Sequence, residues 1–302
     1  MLNNFKLLSK KLKSKFYFNY NICNYTWFKT GGKAELFCLV FDEEELKIIL
    51  QNLDKSLPLV VIGAGSNILI RDGGFKGLIL KLGKGFNTLD SEQNLIKAGS
   101  AILDSNLSKY ALNNSIGGFE FFSGIPGSVG GAIKMNAGCF GSETKDIVKK
   151  IYLFDRSGIK KKLDNREIGF SYRYSKLSES DVVISAIFKG KYTEKNEIES
   201  KINEIKNNRE ISQPLKTKTG GSSFKNPKGN YAAKLIEEAD CKGLVVGGAM
   251  VSNKHSNFII NLGNATANDI ENLGKILQNK VMQKTNIFLE WEIKIIGDLI
   301  EK

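Results

Sequence analysis

Gly124-Ile-Pro-Gly-Ser-Val-Gly-Gly-Ala-Ile-Lys-Met-Asn-Ala-Gly138 holds five glycines in fifteen residues. Those glycines permit positive φ and close backbone approach. Pro126 fixes its own φ. Ser128 is placed to cap a short helix over 129–135, and a helix start behind glycines suits a phosphate. Tight packing of a helix on a sheet would also use such glycines. Their density over so short a stretch favours the approach of a ligand. Upstream, Gly63-Ala-Gly-Ser-Asn67 leaves a strand over 57–62 and begins like a dinucleotide fingerprint. The third glycine is missing, and the next residues read as a strand over 68–70 and an Asp72-Gly-Gly74 turn. A Rossmann loop must open a helix, so that fold is disfavoured. An anion-binding nest and a plain tight turn both remain open for this loop.

Working outward, residues 1–25 read as a short basic helix and a linker. Strands are expected over 34–41, 57–62, 68–70 and 78–82, with a helix over 42–53 capped by Asp42. A second part, 85–195, has a helix over 101–114 and paired strands over 147–155 and 182–190. Further helices are expected at 194–211, 230–239 and 267–284, and a final strand at 288–296. The expected class is α+β, with divisions at 1–84, 85–195 and 196–302.

Composition excludes several classes. Of 302 residues, 41% are hydrophobic and 25% charged, which is a globular balance rather than a disordered one. No apolar run approaches the ~18 residues of a membrane helix, and the first residues lack a signal-peptide pattern. Cys23, Cys38, Cys139 and Cys241 form no Cys-x-x-Cys pair, so neither a zinc site nor a disulfide scaffold is expected. Scattered thiols fit a reducing cytoplasm. The net charge is +12, yet only Arg71, Arg156, Arg166, Arg173 and Arg209 are arginines. Base-edge readers favour the arginine fork, so the charge argues against nucleic-acid binding. Lys6, Lys10, Lys11, Lys13 and Lys15 fit a solvated face, or attraction of an anion.

Two glycine loops in neighbouring α+β parts, without a Rossmann helix, imply a dinucleotide laid between them. The two loops together resemble those of the UDP-N-acetylenolpyruvoylglucosamine reductases (MurB). Further matches run in family order: Thr30-Gly-Gly32, Phe170-Ser-Tyr-Arg173, Gly221-Ser-Ser-Phe-Lys-Asn-Pro227, Lys254-His-Ser-Asn-Phe258 and Leu289-Glu-Trp-Glu-Ile-Lys-Ile-Ile-Gly297. The resemblance runs from about residue 25 to the C-terminus. It implies a two-subdomain FAD-binding fold of the vanillyl-alcohol-oxidase/PCMH type plus a C-terminal α+β substrate domain. It implies non-covalent FAD, NADPH as co-substrate, and reduction of an enolpyruvyl UDP-sugar to UDP-N-acetylmuramate for peptidoglycan. No metal, nucleic acid or membrane insertion is expected. A cytoplasmic monomer is. Only 176–180 separate the Tyr-Arg motif from the next strand, so the chain resembles shorter members that lack a tyrosine-loop insertion.

Carried residue by residue, the resemblance makes Arg173 the partner of the substrate carboxylate, Ser222 the proton donor and Glu292 the carboxylate that works with Arg173. Tyr172, Lys225 and Asn226 fall on substrate contacts. FAD contacts fall on Gly63, Ala64, Gly65, Ser66 and Asn67, and on Gly124, Ile125, Pro126, Gly127, Ser128, Gly130, Gly131, Asn136, Ala137 and Gly138. From residue type alone, Arg173 could equally stack on Tyr172 or Tyr174 or close a salt bridge. Ser222 could be a turn serine, and Ser223 is the neighbouring alternative. Strand alternation over 289–297 puts Glu290 and Glu292 on one face. His255, the lone histidine, reads as a hydrogen-bonded turn residue. A flavin oxidoreductase acting on another sugar or an alcohol is the competing reading, and a lysine-rich nucleic-acid-binding protein is the reading from a different class.

Overall fold

The structure, a computed structural model, describes residues 2–300. It comprises two compact units. The first contains the chain up to Phe18, Leu36–Ala64 and Gly77–Asn208. The second contains Asn19–Glu35, Gly65–Lys76 and the chain from Arg209 onward. The units are discontinuous along the chain, since 19–35 and 65–76 cluster with the C-terminal region. Strand Ile68–Ile70 pairs in parallel with Lys294–Ile296, Ile68 opposite Lys294. A pairing between such distant segments leaves no mark on local periodicity.

In the first unit, strand Leu59–Ile62 lies parallel to Phe75–Leu82, Leu59 opposite Leu78. Helix Glu43–Gln51 starts as its sequence predicts: the Asp42 carboxylate accepts from Glu45 N at 2.9 Å. Leu46, Ile49 and Leu50 form its buried stripe beside Phe5, Leu36 and Leu80; each such side chain is worth about 1.5–3 kcal/mol of burial. Next along the chain comes a five-stranded antiparallel sheet, in the spatial order Lys160–Asp164, Val148–Phe154, Val182–Lys189, Leu95–Gly99, Leu89–Glu92. Helices Asp104–Asn113 and Val129–Met135 share its core with Ile96, Phe122, Ile151 and Phe188. The expected linker before residue 25 instead contains a strand, Lys15–Asn21. Glu45 explains where it begins, since its carboxylate accepts from Lys13 N at 2.8 Å and Ser14 N at 2.7 Å. Lys6, Lys10, Lys11, Lys13 and Lys15 are all exposed.

In the second unit the sheet order is Lys218–Ser222, Phe258–Asn261, Ala249–Val251, Val245–Val246. Helix Ala267–Thr285 buries Ile270, Leu273, Gly274, Leu277 and Val281, a helical i, i+3, i+4 stripe. Its start is doubly capped, by a Thr266–Asp269 capping box and by the Asp72 carboxylate, which accepts from Ala267 N and Asn268 N. Arg71 grips Glu271 on the same helix through Nε at 2.8 Å and Nη2 at 3.0 Å. The expected strand over 288–296 shortens to Lys294–Ile296. Trp291, outside that strand, forms an isolated antiparallel bridge with Phe224, and its ring packs on the helix, where a Cβ at Gly274 would stand 2.0 Å from it. On either side of that bridge Lys225 N donates to Glu290 O at 2.8 Å and Glu292 N to Ser223 O at 2.9 Å.

Candidate cofactor and active site

Within the first unit the two glycine loops meet. A Cβ on Gly63 would stand 2.3 Å from Ser128 Oγ, and one on Gly127 would stand 2.4 Å from Asp104 Oδ2. One on Gly130 would lie 3.1 Å from Ser100 Cβ. Backbone bonds hold 127–130 against 100–104: Val129 N donates to Ile102 O (2.9 Å), Gly130 N to Ser100 O (3.1 Å) and Asp104 N to Gly127 O (3.2 Å). Ser128 occupies the N-cap of helix Val129–Met135, but its hydroxyl makes no cap bond. Its Oγ is buried without a partner. Lys81 Nζ donates to the Gly63 carbonyl, and burial holds its pKa below the usual lysine range.

The second loop leads directly to the arginine. Asn136 ends the helix in the left-handed region (φ 46°), a conformation its short polar side chain tolerates. Its Nδ2 donates to Ser171 O at 2.9 Å and to Glu143 Oε2 at 3.0 Å, and its Oδ1 accepts from Lys145 N at 2.9 Å. This side chain therefore ties the glycine segment to the turn Ser171–Tyr174, where the two end residues exchange backbone bonds. Arg173 sits in that turn at φ 54°. Its Nη2 donates to Gly138 O at 2.8 Å, Glu143 Oε1 lies 3.9 Å from Nη1, and the Tyr172 ring is 4.9 Å from the guanidinium carbon. Stacking, ion pairing and proximity to the glycine segment thus coexist at one side chain. Tyr172 is exposed.

The second unit holds the remaining candidates. Gly65 has φ 73°, and a Cβ there would stand 1.9 Å from Tyr25 O, so this position requires glycine. Asn67 bonds across to the C-terminal segment, Nδ2 to Glu292 O at 3.0 Å and its carbonyl to Lys294 N at 3.1 Å. Glu292 N donates to Ser223 O at 2.9 Å. Asn67, Glu292 and Ser223 are therefore linked by hydrogen bonds. The serines separate cleanly. Ser223 is fully buried, and its Oγ accepts from Ile259 N at 3.2 Å. Ser222 is half-buried at the end of its strand, after Gly221 at φ 79°. Lys225 Nζ lies 3.4 Å from the exposed Glu290, and Asn226 Oδ1 accepts from Ala232 N at 3.0 Å at the start of helix Ala232–Glu238. His255 Nδ1 accepts from Asn257 N at 3.3 Å with its ring against Phe258, and burial lowers its pKa.

Comparison with known proteins decides among flavin enzymes. The FAD binding domain family matches residues 34–163, and the UDP-N-acetylenolpyruvoylglucosamine reductase C-terminal domain family matches 213–296. The reductase of Caulobacter vibrioides is 46% identical over 276 residues, 90% of this chain and 92% of that protein. That of Rickettsia conorii is 45% identical, covering 95% and 97%. The chain belongs to the UDP-N-acetylenolpyruvoylglucosamine reductase family. A MurB crystal structure from Thermus caldophilus superposes with a TM-score of 0.82 at 34% identity, covering 95% of this chain and all of that one. The α+β fold, an FAD-binding part followed by a C-terminal domain, is the one the resemblance implied. The chain is an FAD-dependent oxidoreductase of peptidoglycan synthesis, which removes the nucleic-acid reading. The residues fit the cofactor: a glycine cradle that Cβ atoms would fill surrounds the orphaned Ser128 hydroxyl. Among the described residues no helix is long and apolar enough to cross a membrane. Lys81, Ser100, Asp104 and Glu143 escaped the sequence reading. None lies in a glycine motif, and an acid at a helix start such as Asp104 is commonplace.

Proposed function

We propose that the chain reduces the enolpyruvyl group of its UDP-sugar with electrons from NADPH, and that Arg173, Ser222 and Glu292 carry the chemistry. FAD, when bound, supplies the hydride transfer. The glycines of 63–67 and 124–138 let the backbone approach its pyrophosphate. Arg173 pairs with the substrate carboxylate and neutralises the charge that grows there as hydride adds to the neighbouring double bond. A guanidinium stays charged throughout and offers a fixed fork. Ser222 then donates a proton to the carbon beside that carboxylate, and Glu292 works with Arg173 at the reacting end. Tyr172, Lys225 and Asn226 bind substrate. Arg173 itself carries this reading: the one arginine of the motif is anchored on the carbonyl of Gly138, the last residue of the glycine segment.

Stopped-flow absorbance of the two half-reactions tests the assignment. Variants at Arg173 and Ser222 should be reduced by NADPH normally and reoxidised by substrate slowly. Normal reoxidation in Arg173→Ala would remove that residue from the mechanism. We also take the enzyme to act as a cytoplasmic monomer, which light scattering of the purified holoenzyme checks.

A further inference from the structure

The strand that ends in Ser222 does not run evenly beside its neighbour. Thr219 stands opposite Ile260 and Ser222 opposite Phe258, so three steps along one strand match two along the other. A bulge of this kind re-aims side chains, and bulges are over-represented beside active sites. Gly221 lies within it at φ 79°, and a Cβ there would meet nothing within 4 Å. Just after Ser222 the chain is held far more firmly. Ser223 N donates to Asn257 O at 2.7 Å, its carbonyl accepts from Glu292 N at 2.9 Å, and its Oγ accepts from Ile259 N at 3.2 Å. Phe224 is then bonded at both its backbone polar groups by a single side chain. Its N–H donates to Asn257 Oδ1 at 3.0 Å, and Asn257 Nδ2 donates to its carbonyl at 2.8 Å. The amide of Asn257 thus stands in for a strand backbone and continues the ladder past the bulge. Asn257 and Phe224 are both buried, so water does not reach this pair.

We propose that Asn257 is a positioning residue for proton transfer, whose amide fixes 223–224 and thereby sets where the Ser222 hydroxyl lies relative to Glu292. The inference rests on the assignment of Ser222 as the proton donor. Ser223 is the shared point: Asn257 holds its N–H side and Glu292 its carbonyl side. Without the amide, the Phe224 N–H and carbonyl would be buried without these partners, a state that a fold avoids by shifting the segment. Proton donation requires hydrogen-bond reach of the accepting carbon, so a shift of about 1 Å can cost on the order of 10²-fold in rate. The bonds from Asn257 go to backbone atoms, so Ser223→Ala leaves them in place. The motif Lys254-His-Ser-Asn-Phe258 thereby acquires a role in the reaction through its asparagine.

Stopped-flow on purified holoenzyme, with reduction by NADPH followed by reoxidation by the enolpyruvyl substrate, tests this. Asn257→Ala should be reduced within about twofold of the wild-type rate and reoxidised roughly 10- to 100-fold more slowly. Asn257→Asp keeps the acceptor for Phe224 N and should fall between the two. A double-mutant cycle gives the reading that a purely structural residue would not. Because Asn257 acts through Ser222, adding Asn257→Ala to Ser222→Ala should slow reoxidation by less than about threefold. Multiplication of the two single effects overturns the proposal, and so does equal damage to both half-reactions in Asn257→Ala. If Asn257→Ala does not fold, Asn257→Asp is carried through the same cycle and read in the same way. Normal reoxidation in Ser222→Ala would overturn the donor assignment and the proposal with it. Normal reoxidation in Asn257→Ala beside a slow Ser222→Ala overturns the proposal alone.

Discussion

Arg173 holds a left-handed backbone conformation at φ 54°, which costs a non-glycine residue about 1–2 kcal/mol. The anchor to Gly138 and the packing on Tyr172 over-determine it, and the cost is carried where a charge must be held in place. Arg173→Ala should keep its flavin and its reduction by NADPH. Its substrate-dependent reoxidation should fall on the order of 10²–10⁴-fold. Arg173→Lys should recover only part of that rate, because a point charge lacks the fork. The serine pair gives a second contrast. Ser222→Ala should be reduced normally and turn over orders of magnitude more slowly, with partial recovery in Ser222→Cys, whose thiol can also donate a proton. Ser223→Ala should keep both half-reactions, yet lose about 1–2 kcal/mol in urea unfolding, because the buried Ile259 N–H loses its acceptor. Selective loss of reoxidation in Ser223→Ala would exchange the two roles.

At the scale of the element, glycines of the same motif have different jobs. Gly131 lies in helix Val129–Met135, and a Cβ there meets only Ser128 Oγ, at 3.7 Å. Gly131→Val should therefore fold and purify colourless. Gly65 combines positive φ with a backbone carbonyl 1.9 Å from any Cβ. Gly65→Val should accordingly lose the fold locally, so its colour would say nothing about flavin contact. Circular dichroism beside the flavin absorbance of each variant separates these outcomes. Asn136 shows the same division of labour. Its amide joins helix end, Glu143 and Ser171, so Asn136→Ala should slow reoxidation by releasing the Arg173 turn. Flavin reduction should be affected less.

For the molecule as a whole, the Arg71–Glu271 pair secures the second unit, with Lys275 Nζ at 3.1 Å from the same carboxylate. Glu271 is buried, whereas Arg71 is about one-third exposed, so solvent moderates the pair's strength. Arg71→Ala should cost about 2 kcal/mol, chiefly by stranding a buried carboxylate. The Arg71 hydrogen bond and charge, helped by Lys275, hold the Glu271 pKa below the usual carboxylate range. A depressed carboxylate stabilises the fold above its unfolded pKa, about 4.3, and that contribution is lost as pH falls through the folded value. Urea midpoints should drop below pH 5 more steeply in wild type than in Glu271→Gln. Parallel slopes would remove the pair from acid stability.

Local pattern carried the class, most helices and strands, and the identity of the loops, because each rests on short-range physics. Asp42 before an acidic first turn, the apolar stripe of Ala267–Thr285 and the glycine spacing are all legible within a few turns of chain. The joint order of the motifs carried the family. The strand Lys15–Asn21 was missed, because the lysines around it read as a solvated face and its aromatics, Phe16, Tyr17, Phe18 and Tyr20, do not alternate. Other features had no local signature. Ser222 and Ser223 are chemically identical in sequence, and only the strand Phe258–Asn261, arriving with the Ile259 N–H, makes one of them structural. The ring of Trp291 packs where a glycine on a distant helix leaves room for it. Asp104 looks like any acid at a helix start until Gly127 closes over it and removes water from both its oxygens. In each case burial and hydrogen bonding are set by segments far apart in the chain, and no periodicity within either segment records which neighbour will arrive.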